Sequence, residues 1–294
     1  MTYQIYEAPR VVAEIGCNHM GDMDLAKKMI HTAATFCNAD VVKFQKRNNR
    51  ELLTEAQYNA PHPTPVHAHG KTYGEHRESL EFTLEQHAEL QDYCREVGII
   101  YGCSVWDLTS AKQIMNLHLS SIKIPSACNN NERMLRFLCQ HYIGEIHVSL
   151  GMTTRDELHD MIRLFEEENR LQDVVLYVCT SGYPVPFKDL RLLEIERIKT
   201  VYGRIVKGIG FSGHHLGIAA DIAAYTLGAS IIERHFTLDR TMKGTDHVAS
   251  LEPEGLRKLK RDLEAVYQAL HERGTNILPI EKAQREKLKY SGDE

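Results

Sequence analysis

Eight short apolar runs, each followed by a longer amphipathic stretch, constrain this chain more than any other feature. The runs are Val11–Gly16, Val41–Gln45, Ile99–Val105, Ser121–Ser126, Glu145–Leu150, Val174–Thr180, Ile209–Gly213 and Ile231–Phe236. Nearly continuous apolar residues over so few positions suit parallel strands buried on both faces. The stretches between them carry helical punctuation. Asp22 stands as an N-cap for Asp22–Phe36, and Leu84, His87, Leu90 and Cys94 line one face of Thr83–Val97 before Gly98 ends it. Thr109–Leu117, Asn131–Tyr142, Thr154–Asn169, Lys188–Tyr202, Gly217–Leu227 and Glu254–Leu270 fill the remaining gaps. Eight such repeats are the number that closes a (β/α)8 TIM barrel. An open doubly wound sheet normally has fewer strands and gathers its ligand at one switch point, whereas here every strand ends in a polar residue.

Composition serves to exclude. The chain has 294 residues, 43% of them hydrophobic, which is enough for one such barrel as a single α/β domain. A net charge of −5 with no basic stripe argues against a nucleic-acid partner. No run approaches the ~20 apolar residues of a membrane helix, and the opening MTYQIYEAPR has no signal-peptide core. Seven scattered cysteines without CxxC spacing read as free thiols, so a cytoplasmic protein is expected. The barrel is expected over residues 1–274, with a charged tail at 275–294. One insertion, 46–83, reads as a long functional or mobile loop, and its His62, His67 and His69 read as solvated rather than as metal ligands.

Barrel enzymes place their chemistry at the C-terminal strand ends. Those ends offer Glu14, then Lys43 with Gln45, Ser104, Lys123 with Ser126, Ser149, Thr180 with Ser181 and Tyr183, Ser212 with His214, and Glu233 with His235, followed by Asp246. Burying an unpaired charge is costly, so lysines inside Val42-Lys43-Phe44 and Ile122-Lys123-Ile124 need a reason. Either one of them pairs with a carboxylate at the rim, or both ammoniums converge on an anion with the serines and Thr180 as neutral donors. His214 and His235 come from adjacent strands, so their rings can meet. With Asp246 or Glu14 they would suit a divalent metal; hydrogen-bonded core histidines are the alternative. Cys17 is a weaker possible ligand.

The ordered set AEIGCNHMGDMDLAKKMI, ADVVKFQ, YGEHRESLEF, IKIPSACNNN, SLGM, CTSGYPVP, GFSGHHLG and IIERHFTLDRTMKGTDHVASLEPE, over about residues 11–255, resembles the catalytic barrel of the N-acetylneuraminate (sialic acid) synthases and their legionaminate and pseudaminate relatives. The resemblance implies phosphoenolpyruvate held by Lys43, Ser104, Lys123, Ser126, Ser149, Ser181 and Ser212. It implies a divalent metal, Mn or Mg, on His214 and His235, and Glu14, Tyr183 and Asp246 around the sugar and the water. It also implies a homodimer. The expected reaction is condensation of phosphoenolpyruvate with an open-chain sugar aldehyde to a 2-keto-3-deoxy sugar acid and phosphate, with Glu14, Lys43, Lys123 and Asp246 as the catalytic set. Two departures bear on the sugar: the family's Ser-Gly-Glu reads Ser126-Ala127-Cys128, and its Ser-Asp-His reads Ser212-Gly213-His214. The antifreeze-like domain that usually follows the barrel is not expected before Glu294. The rival expectations are a pyruvate aldolase, using a lysine Schiff base, and a non-catalytic anion- or sugar-binding barrel.

Overall fold

A computed structural model describes residues 6–290. Eight parallel strands close in sequence order into one barrel: β1 Arg10–Gly16, β2 Val41–Lys46, β3 Ile100–Val105, β4 Ser121–Ile124, β5 Glu145–Ser149, β6 Val174–Cys179, β7 Gly208–Gly213 and β8 Ile231–His235. A helix follows each strand on the outside: α1 Met23–Thr35, α2 Leu84–Val97, α3 Leu108–Met115, α4 Glu132–His141, α5 Arg155–Glu167, α6 Leu193–Tyr202, α7 Ala219–Leu227 and α8 Pro253–Ala269. The expected caps form. Asp22 accepts hydrogen bonds from the amides of Asp24 and Leu25, and Gly98 ends α2 in the left-handed region.

Strand alternation sorts the side chains into two cores. Val11, Ala13, Ile15, Val42 and Phe44 face the helices and join the large outer core. Val12, Val41, Val175, Tyr177 and Ile231 face inward and plug the barrel's lower lumen. Glu14 lies two residues on from Val12 and Lys43 two on from Val41, so both rise from that plug toward the mouth. The register sets Glu14 beside Lys43 on one side and His235 on the other, and Ser104 beside Lys123.

On β8 the same alternation sends Arg234 outward between Glu233 and His235. There its guanidinium reaches Asp221 of α7 at 2.5 Å and the carbonyl of Gly217 at 2.8 Å, fully buried. Breaking a buried ion pair strands the other charge. Asp221→Ala should therefore cost about 3–5 kcal/mol, read as a lower urea midpoint with an unchanged m-value.

The connection after β2 departs from a plain long loop. It folds into short helices at Asn49–Leu52, Glu55–Asn59 and Tyr73–Glu78, with Asn48, Thr54 and Thr72 as N-caps. Its two ends are tied together, because Glu81 takes both the backbone amide and the guanidinium of Arg47. The 275–294 stretch contains a short exposed helix, Lys282–Leu288. All seven cysteines are free thiols. Among the described residues no helix is long and apolar enough to cross a membrane.

Candidate active site

A cavity of about 560 Å³ opens at the C-terminal mouth of the barrel. All twelve site residues expected from the sequence line it: Glu14, Lys43, Ser104, Lys123, Ser126, Ser149, Ser181, Tyr183, Ser212, His214, His235 and Asp246. Their convergence follows from parallel strands that all end at one face.

The two lysines do not stand free. Lys123 Nζ lies 2.9 Å from both oxygens of Glu233 and 3.4 Å above the centroid of the Tyr177 ring. Lys43 donates to Ser104 Oγ at 2.6 Å, pairs with Glu14, and lies 3.8 Å from Glu233. Ser212 Oγ completes the shell around Glu233 at 3.0 Å. Glu233 therefore joins the lysine cluster, although the sequence reasoning left it outside its site. It was visible as a strand-end acid, and its lumen-facing parity with His235 was the signal.

Burial shapes the protonation of this cluster. On its own it would raise Glu233, but Lys123 and Lys43 together outweigh it and hold that carboxyl well below its usual range. For Glu14 burial prevails over Lys43 and pushes the carboxyl up to about 7. Burial would lower Lys43, but the facing carboxylates of Glu14 and Glu233 raise it instead. Lys123 is lowered by burial despite Glu233.

The histidine pair lies beside this cluster. The rings of His214 and His235 are 5.3 Å apart between centroids, with Tyr183 at 4.4 and 5.7 Å from them. Burial and then His235 push His214 down to about 3, and burial lowers His235 as well, so both imidazoles are neutral at pH 7. His214 Nδ1 donates to the Thr180 carbonyl at 3.0 Å, which leaves its Nε2 with a lone pair. His235 Nδ1 is buried without a hydrogen-bond partner, 3.9 Å from Asp246. Among the described residues no three His, Cys, Asp or Glu side chains already converge as a metal cage. The donor set nevertheless fits a divalent cation: two neutral ring nitrogens, one of them unpartnered, and a carboxylate nearby.

The insertion forms one wall of the cavity through His62, Tyr73, His76 and Arg77, joined by Arg47 and Trp106 from the strand ends. Sequence reasoning missed this wall. His62 is packed rather than solvated, edge-on to His76 at 4.3 Å, and His67 accepts from the amide of Gly244 at 3.2 Å. The insertion thus leans on the segment that carries Asp246. Burial raises the Cys17 thiol to about 12, and Gln45 and Arg47 hydrogen-bond to its sulfur.

The NeuB family model matches residues 29–275. The N-acetylneuraminate-9-phosphate synthase of Mus musculus is 38% identical over 278 residues, covering 95% of this chain and 76% of that protein. The N,N'-diacetyllegionaminic acid synthase of Campylobacter jejuni is 32% identical over 279 residues, covering 95% and 81% respectively. The crystal structure of N-acetylneuraminic acid (sialic acid) synthetase from Leptospira borgpetersenii superposes with a TM-score of 0.80 at 25% identity, over 96% of this chain and 91% of that one.

Proposed function

The chain belongs to the NeuB family, and on that premise we propose that it joins phosphoenolpyruvate to an open-chain sugar aldehyde, giving a 2-keto-3-deoxy sugar acid and phosphate. The observation that carries this reading is the meeting of two buried lysines and a paired set of histidine rings in one cavity.

The substrate's phosphate and carboxylate call for fixed positive charge and many donors. Lys43 and Lys123 supply the charge, and Ser104, Ser126, Ser149, Ser181 and Ser212 supply neutral donors around them. Glu233 holds both ammoniums in position without substrate, so little reorganisation is needed when the anion arrives. His214 and His235, with Asp246 beside them, would hold a divalent ion, Mn or Mg, which when bound would polarise the aldehyde oxygen as a Lewis acid.

In the reaction the third carbon of phosphoenolpyruvate attacks the aldehyde carbon, forming the C–C bond, and the aldehyde oxygen takes up a proton. Water adds to the second carbon. The bond from that carbon to the bridging oxygen then breaks, phosphate leaves with that oxygen, and the remaining hydroxyl loses its proton to give the ketone. Glu14, with its carboxyl at about 7, is matched to taking the proton from the water near neutral pH, and Asp246, which lines the same cavity, would orient that water. Tyr183 packs on both imidazoles and borders the acceptor end.

A Schiff-base pyruvate aldolase would need a neutral amine facing a ketone. Lys43 is held in its charged form by two carboxylates, and Lys123, although burial lowers it, is engaged by both oxygens of Glu233. Borohydride treatment with pyruvate should therefore leave both lysines unmodified by mass spectrometry, while phosphoenolpyruvate and a suitable aldose release phosphate. Pyruvate trapped on either lysine would sink the synthase reading.

A further inference from the structure

We infer that Arg77 is a specificity-determining residue that binds an oxyanion, phosphate or carboxylate, carried by the acceptor sugar away from its aldehyde. The inference rests on the synthase reading and adds the chemical class of the acceptor.

Arg77 is only 8% exposed, yet its Nε and Nη2 have no hydrogen-bond partner. It lines the same cavity as the lysines and histidines but belongs to the insertion, in the helix Tyr73–Glu78. The rings of Trp106 and Tyr73 lie 5.7 and 5.8 Å from the guanidinium carbon. They orient the cation but leave its planar N–H edge unused. The charge of Glu81 reaches Arg77, but Glu81 is already bound to Arg47. Asp107 accepts from the amides of Asn48 and Ser110 and from the Ser110 hydroxyl. A buried guanidinium with open donors is expensive unless an anion completes it.

Position 128 supports the same assignment. In the motif that this stretch resembles a carboxylate stands there; here it is a buried cysteine. Burial and then Asp107 push its thiol up to about 12, while the charge of Arg77 pulls the other way. An acid at 128 would compete for the guanidinium. A neutral thiol leaves it open to a charged ligand.

Trp106 is the chain's only tryptophan, and it borders Arg77, so its fluorescence reports this wall directly. With phosphoenolpyruvate and Mn present, the folded protein is titrated with a hexose, the same hexose as its 6-phosphate, and the corresponding hexuronate. At least one charged sugar should bind about tenfold tighter than the hexose or more, and which of the two does so separates phosphate from carboxylate. Arg77→Met should erase that preference. Cys128→Glu, which keeps the arginine and gives it an internal partner, should erase it too, so the test survives if the arginine variant fails to fold. Equal or undetectable responses to charged and neutral sugars, or a preference that persists in both variants, would overturn the assignment. Arg77-dependent anion binding without aldose-dependent phosphate release would support it and count against the synthase reading alone. Release with neutral aldoses and no Arg77-dependent preference would do the reverse.

Discussion

Replacing Lys123 by methionine should lower kcat/KM for phosphate release by about 10³-fold or more. Two losses add. The ammonium is a fixed, buried counter-charge for an anion whose charge shifts as phosphate departs, and removing one such preorganised donor costs about 10²–10³ in rate. The lysine also holds Glu233 through both carboxylate oxygens, and without it that acid faces only Lys43, at 3.8 Å, and Ser212. A buried carboxylate left so poorly matched repels the incoming substrate. The same substitution should cost about 3–5 kcal/mol of stability, as expected when one member of a buried ion pair is removed. The double variant Lys123→Met, Glu233→Gln should recover most of that stability and none of the rate. Steady-state phosphate release alongside urea denaturation separates the two effects. If the single variant keeps more than about a tenth of the activity, the lysine is structural.

His235→Ala should be comparably severe, with a loss on the order of 10³-fold, for a different reason. It removes the buried Nδ1 that has no protein partner and opens the pair that it forms with His214. Phosphoenolpyruvate binding should be nearly unchanged, because the lysines and serines are untouched. Mn affinity, measured by calorimetry or by the paramagnetic broadening of water relaxation, should fall with the rate. A chelator should bring the wild-type protein to the same residual activity. Unchanged metal-dependent release in the variant would remove His235 from the ligand set.

Much of this architecture was legible because its determinants are local. Apolar runs of strand length alternate with capped amphipathic helices, and the parity of Val12 with Glu14 or Val41 with Lys43 can be counted along the chain. Polar residues at strand ends then share one mouth as soon as the barrel closes. What escaped depends on contacts between distant segments. Lys43 and Lys123 read either as one lysine paired with a rim carboxylate or as two ammoniums converging on an anion, because nothing local says that Glu233, on the last strand, will lie against both. The insertion read as a loop although Thr54 and Gln57 form a capping box visible in the sequence. Its docking relies on Arg47 meeting Glu81, 34 residues on, and on His67 reaching the segment that carries Asp246. Arg77 is buried because that insertion folds back; the stretch YGEHRESLEF marks its neighbourhood as part of the resemblance but does not say which side chain faces the cavity.

One cavity is expected to couple C–C bond formation to loss of phosphate through cleavage at the second carbon of phosphoenolpyruvate. The most direct measurement uses phosphoenolpyruvate with ¹⁸O in the bridging position, Mn, and an aldose that supports turnover, followed by ³¹P NMR and mass spectrometry. Released phosphate should carry the label, match the 2-keto-3-deoxy acid one to one, and form only when the aldehyde is present. Unlabelled phosphate, or release that proceeds without any aldehyde, would contradict it.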